Sequence, residues 1–113
     1  MKSATITLRD EHSGRDSRLL WARLTADGDL VIEGHDLGPG VEGFWGDGLL
    51  EYEWILTVRA ANVPRLIAAF GGRDGDPVLP LLAARFADDD QCASKQFLDE
   101  QDVPLEFWSR VGD

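Results

Sequence analysis

The chain has little of the chemistry that usually identifies an active site or a metal site. Its one cysteine, Cys92, excludes an internal disulfide and leaves a thiolate zinc site without its ligands. Its two histidines, His12 and His35, do not form the His-Glu-x-x-His motif of zinc proteases. The sequence therefore predicts no catalytic residue, no cofactor and no tightly bound structural zinc.

Long apolar runs are also missing. No stretch approaches the ~20 apolar residues that a membrane-spanning helix requires. Charges at Lys2, Arg9, Asp10 and Glu11 interrupt the beginning of the sequence, so no signal peptide is expected there. The predicted location is the cytoplasm.

Positive charge is scarce, because 21 acidic residues face 11 basic ones and the formal net charge is −10. Nucleic-acid binders and proteins of anionic membrane surfaces need the opposite sign, so neither partner is expected. A basic protein or a cation suits this charge better. The alternative is that the acidity only keeps the protein soluble. The oligomeric state is left open.

What is present predicts a globular α+β domain. The length of 113 residues suits a single domain over residues 1–113, and 43% hydrophobic residues with four Trp and five Phe can supply its core. Strand-like segments occur at 4–8, 18–25, 30–33 and 50–58, and Asp27-Gly28 predicts a tight hairpin between the second and third. In the fourth strand Glu51 and Glu53 should face away from the helices, and Tyr52, Trp54, Leu56 and Val58 should face toward them.

Helical patterns dominate the second half. They cover residues 63–70, 77–87 and 91–101, with Asn62 as an expected N-cap and Asp88 to Asp90 just before the third helix. The second helix is apolar nearly all round and should be buried. A last strand is predicted at 105–111. The order β-β-β-β-α-α-α-β predicts an antiparallel sheet with helices packed on one face.

The most informative feature is an acidic block from Leu24 to Val58, which contains no Lys or Arg. Its eight acids are Asp27, Asp29, Glu33, Asp36, Glu42, Asp47, Glu51 and Glu53. The glycine-rich loop at 34–48 adds two aromatics, which either pin the loop to the core or contact a partner. The predicted binding residues are Asp36, Glu42, Phe44, Trp45, Asp47, Glu51 and Glu53. The alternative is that the acids are scattered over several faces.

Two weaker chemical patterns lie in the same block. His35-Asp36 is a potential general base or metal ligand, but a surface or structural role is the simpler interpretation. Glu51 and Glu53 share one face of a strand about 7 Å apart, which suits two acid/base carboxylates and equally suits two solvated side chains. Cys92 lies beside three aspartates, which raise rather than lower a thiol pKa, so it is not a predicted nucleophile.

The strings GHDLGPGVEGFWGDG, LEYEWILTV and VPLEFW, with VPRLIAAFGG between them, resemble those of a family of small uncharacterised bacterial proteins. The resemblance covers Gly34 to Trp108. It implies no activity, because none is assigned to that family. In size, charge and general character the chain also resembles immunity proteins of bacterial toxin systems.

Together these features predict a non-enzymatic interaction module, with an immunity or antitoxin-like inhibitor of a basic toxin as its most specific form. The alternative is a small enzyme or ligand-binding domain that uses His35, Asp36, Glu51 and Glu53 in a pocket near the 34–48 loop. The third hypothesis is that the protein is a structural subunit of a larger assembly.

Overall fold

The computed structural model describes residues 4–39 and 51–112, without the side chains of 90, 91 and 112. Five strands form one antiparallel sheet in the order β1-β2-β3-β4-β5, with three helices between β4 and β5. The strands are β1 (Ala4–Ser13), β2 (Asp16–Leu24), β3 (Leu30–Leu37), β4 (Glu51–Val58) and β5 (Glu106–Gly112), and the helices are α1 (Val63–Ala69), α2 (Val78–Asp88) and α3 (Lys95–Glu100). The predicted α+β class and the antiparallel sheet are confirmed.

All three helices pack on one face of the sheet. Cross-strand pairs such as Ala22↔Ile32 and Ile32↔Leu56 align the core-facing side chains of β2, β3 and β4. These side chains share a buried cluster with helix residues, including Leu66, Leu82 and Leu98, all of them fully buried. Burial of large aliphatic side chains between sheet and helices is therefore the main source of stability.

The alternation predicted for β4 is confirmed. Leu56 and Val58 are fully buried in the core cluster, and Trp54 packs against it. Residues at odd positions pair across the sheet on the opposite face, as in Glu53↔His35 and Ile55↔Glu33. Glu51 and Glu53 therefore face away from the helices, as the period-two pattern requires.

The hairpin predicted between β2 and β3 also forms. Gly28 has a φ of 89°, and the Gly28 amide donates to the Thr25 carbonyl at 2.9 Å. Asp27 does not take a positive φ, so the connection is a longer loop than the two-residue Asp-Gly turn. The Thr25 hydroxyl accepts from the Asp29 amide at 3.1 Å and fixes its other end.

Two strands extend further than the sequence indicated. β1 continues to Ser13, and β3 continues through Gly34 to Leu37, so the first part of the expected loop is strand. Gly34, expected to begin the glycine-rich loop, lies within β3 and leaves room for the Trp54 indole: a Cβ on Gly34 would lie 2.8 Å from Cζ2 and closer still to Nε1. β1 also contains a bulge between Thr7 and Arg9, which turns Arg9 toward the helices.

The helices differ from the sequence expectation in one boundary and in the burial of α2. The third helix begins at Lys95 rather than 91, because Asp90–Ala93 forms a 3₁₀ turn and the Ser94 hydroxyl caps the helix by accepting from the Phe97 amide at 3.0 Å. α2 buries only one side, with Val78, Leu79 and Leu82 inside. Within the described residues, no helix has the length and apolar character needed to cross a bilayer.

Candidate functional site

The sheet surface opposite the helices, which we call the open face, carries side chains from all five strands. Strand register arranges them in rows, and one row runs Thr7, Trp21, Glu33, Ile55 and Trp108. The described helices all contribute to the core on the other side. The open face is therefore a surface on which all five strands present side chains and none of the described helices packs.

Apolar residues are unusually frequent on the open face for a sheet surface that no described helix covers. They are Leu19, Trp21, Val31, Leu37, Ile55 and Trp108. Val31 is buried among its neighbours, but Trp108 keeps 47% of its surface exposed. An antiparallel sheet with one solvated face normally alternates apolar and polar residues, so these side chains are typical of a contact surface.

A charged group, the His35 cluster, lies beside these apolar residues and consists of His35, Glu51, Glu53 and Arg110. His35 on β3 pairs directly with Glu53 on β4, which in turn pairs with Arg110 on β5. The His35 Nε2 atom is 3.1 Å from Glu51 Oε2 and 3.6 Å from Glu53 Oε1. Arg110 Nη2 donates to Glu53 Oε1 at 2.8 Å and also to Glu51.

The electrostatics of the His35 cluster follow from Arg110. The hydrogen bond from its guanidinium is the main cause that lowers the pKa of Glu53 below its ordinary value of 4.5. In the reverse direction, Glu53 raises the pKa of Arg110. Two carboxylates from one strand are thus held side by side by a cation from the next strand.

The predicted binding residues are only partly brought together. Glu51 and Glu53 are neighbours on the open face, but Asp36 pairs with Arg18 and Tyr52 in the register of the helix side. Glu42, Phe44, Trp45 and Asp47 lie outside the described residues. Whether any of these residues binds a partner stays a prediction.

Among the described residues, the side chains of the acidic block do not form one continuous surface. Asp27 and Asp29 lie in the β2–β3 loop, remote in register from Asp36 at the other end of β3. Arginines from outside the block also pair with its acids: Arg59 with Asp29 at 3.2 Å, Arg23 with Glu33 at 3.3 Å, and Arg18 with Asp36 at 3.6 Å. Sequence composition overstated the local charge because it ignored these cross-strand partners.

A cleft of about 220 Å³ lies between the sheet and the residues just before α3. Its lining includes Arg9, Arg18, Asp36, Trp54 and Ser94. The sequence hypothesis of a pocket with His35, Asp36, Glu51 and Glu53 does not match this cleft, because only Asp36 lines it. Arg9 contacts Glu11 at 3.2 Å and lies over the Phe86 ring, so its cationic group already has partners.

Sequence reasoning missed two contributors to the open face, Trp21 and Arg110. Both sit in strands whose alternation was visible, since Trp21 shares a face with Leu19 and Arg110 shares one with Trp108. What the sequence did not provide was the register that places them beside Glu33 and Glu53. The β2–β3 pairing places Trp21 beside Glu33, and the β4–β5 pairing places Arg110 beside Glu53.

The open face offers two chemical capacities. Trp21, Ile55 and Trp108 provide apolar contact, and the His35 cluster provides hydrogen bonding and cation binding. Comparison with known proteins adds no family to this description, because no protein-family model matches the chain and no curated protein or solved structure is significantly similar to it.

Proposed function

We propose that the protein is a non-enzymatic binding module whose open face docks a basic protein. The observation that carries this proposal is the row of Trp21, Ile55 and Trp108 on a sheet surface that the described helices leave uncovered. Aromatic side chains in such positions supply a large share of binding energy at protein interfaces.

The charge of the open face favours a basic partner. Five carboxylates of the open face meet three arginines: Asp10, Glu33, Glu51, Glu53 and Glu106 against Arg23, Arg110 and Arg59, which pairs with Glu106. The whole chain has the same sign, with a formal net charge of −10. Such a surface accelerates encounter with a positively charged protein, while the aromatic centre governs dissociation.

The most specific form of this proposal is an immunity or antitoxin-like inhibitor that covers the working surface of a basic toxin in the cytoplasm. The small size and the acidity of the chain are compatible with that role. Nothing in the proposal requires catalysis by this chain.

The test compares two aromatic residues that are adjacent in β5 and face opposite sides of the sheet. Trp108 is 47% exposed on the open face, and Phe107 is 39% exposed on the helix side, where it stacks on Trp54. We expect Trp108→Ala to abolish capture of a basic protein that the unaltered chain and Phe107→Ala both retain. With the purified partner, Trp108→Ala should speed dissociation about tenfold or more.

Charge variants and solution size complete the test. Asp10→Asn should slow association and weaken its salt dependence, with little effect on dissociation. The proposal would be refuted by a partner that binds Trp108→Ala as tightly as the unaltered chain. It would also be refuted by self-association that Trp108→Ala disrupts, because a second copy of the chain would then occupy the open face. Light scattering of the isolated chain distinguishes that outcome.

A further inference from the structure

We propose that His35, Glu51 and Glu53 form a binding site for a divalent transition metal of the zinc class, and that Arg110 is the internal cation which the metal displaces. This proposal does not depend on the proposed function, since it concerns an ion and not a protein partner. It revises the sequence expectation that the chain has no metal site.

The donor atoms have the spacing that zinc requires. Each of the three side chains has one potential ligand atom within 4.8 Å of those of the other two. A tetrahedral zinc with bonds of about 2.0–2.1 Å places neighbouring ligand atoms about 3.3 Å apart. His35 Nε2 lies 3.1 Å from Glu51 Oε2 and 3.6 Å from Glu53 Oε1, on either side of that value.

The ligands are also held in position before any metal arrives. All three project from the paired strands β3 and β4, with His35 directly opposite Glu53 and Glu51 one strand repeat away. The exposed fraction of the side chain is 24% for His35, 23% for Glu51 and 34% for Glu53. Ligands on paired strands need little reorganisation, and partial burial strengthens their attraction to a dication.

The ligand types favour a transition metal over calcium or magnesium. An imidazole nitrogen with two carboxylate oxygens is a set that zinc accepts, and it leaves a fourth position for water. Calcium takes six to eight oxygen ligands, and magnesium prefers an oxygen octahedron with several waters. The described residues offer three donors, one of which is nitrogen, so the hard cations are poorly served.

Arg110 is the feature that makes the proposal specific. Its Nη2 atom lies 2.8 Å from Glu53 Oε1, the carboxylate oxygen that faces His35, and it contacts Glu51 as well. The guanidinium therefore shares Glu53 Oε1 with His35, whereas on Glu51 it contacts Oε1 and His35 contacts Oε2. A metal bound to His35, Glu51 and Glu53 would compete with Arg110 for the Glu53 carboxylate. Arg110 is 48% exposed and long, so it can turn into solvent when a dication replaces it.

The experiment is calorimetric titration of the untagged, chelator-treated protein with Zn²⁺ alone. We expect one zinc per chain, with affinity at least about tenfold weaker in His35→Ala and in Glu53→Gln. Arg110→Gln should bind zinc about tenfold more tightly, because the competing cation is gone while both carboxylates remain. The matched control is Glu33→Gln, which removes the same charge from the same face of β3 and should leave the affinity unchanged.

A spectroscopic measurement identifies the ligands directly. Co²⁺ in place of zinc should give the visible absorption of a four-coordinate site, and His35→Ala should remove it while circular dichroism shows an intact fold. Zinc binding that survives both His35→Ala and Glu53→Gln would place the metal elsewhere and overturn the proposal. Failure of both the unaltered chain and Arg110→Gln to bind zinc would overturn it as well.

Discussion

Gly34 lies at the centre of the sheet beneath the indole of Trp54, and replacing it with alanine tests that contact. A Cβ at this position would lie 2.8 Å from Trp54 Cζ2, inside the distance that real Cβ atoms keep, and closer still to Nε1. Trp54 also stacks on Phe107, with ring centroids 6.2 Å apart, so the indole cannot move without losing that contact. We expect Gly34→Ala to lower the free energy of unfolding by about 1–3 kcal/mol, the usual cost of overpacking.

The same substitution should have the opposite sign once the indole is removed. In a Trp54→Ala background the added methyl group meets open space, and replacing a strand glycine stabilises by roughly 0.5–1 kcal/mol. The double-mutant cycle should therefore give a coupling energy of about 1.5–4 kcal/mol. Urea denaturation followed by far-ultraviolet circular dichroism measures all four species, since tryptophan fluorescence would change with the mutation itself. An equal cost of Gly34→Ala in both backgrounds would show that the contact with Trp54 is not its cause.

Two further predictions concern single hydrogen bonds. Ser94→Ala removes the cap of α3 and should lower the free energy of unfolding, measured by urea denaturation, by about 1 kcal/mol. The control is Asn62→Ala at the N-cap of α1, where no side-chain cap bond forms, and it should change the free energy of unfolding by less than about 0.5 kcal/mol. Arg110→Gln should raise the pKa of Glu53 toward 4.5 in a carbon-detected NMR titration, and Arg23→Gln should leave it unchanged. Because this pKa is lowered in the folded state, its stabilising contribution is present above about pH 4.5 and is lost as the pH falls through the folded value; an unchanged Glu53 pKa in Arg110→Gln would contradict the assignment.

Local patterns were sufficient to predict most of the fold. Period-two alternation in β4 correctly assigned Trp54 and Leu56 to the core side, because a strand reverses its side chains at every residue. The turn at Gly28, with its φ of 89°, was equally local. Each of these features depends on a few neighbouring residues, which is why one sequence was enough.

The candidate site was harder because it depends on pairing between distant segments. Grouping His35 with Asp36 was wrong as geometry, since adjacent residues of a strand face opposite sides and β3 extends through both. His35, Glu51 and Glu53 do lie together, although not in a pocket with Asp36. Arg110 lies 59 residues after Glu51 and joins them only through the β4–β5 register. No local signal identifies that partner.

Strand order also determines when each part of the His35 cluster is synthesised. The three proposed ligands belong to β3 and β4, whereas Arg110 belongs to β5, which follows all three helices. Ribosomes add about 5–20 residues per second, so Glu51 and Glu53 precede their arginine by several seconds. During that interval Arg110 cannot pair with them, whereas cations from solution and from earlier segments of the chain can. Arg110 therefore competes for Glu51 and Glu53 only after the strand that carries it has been added to the sheet.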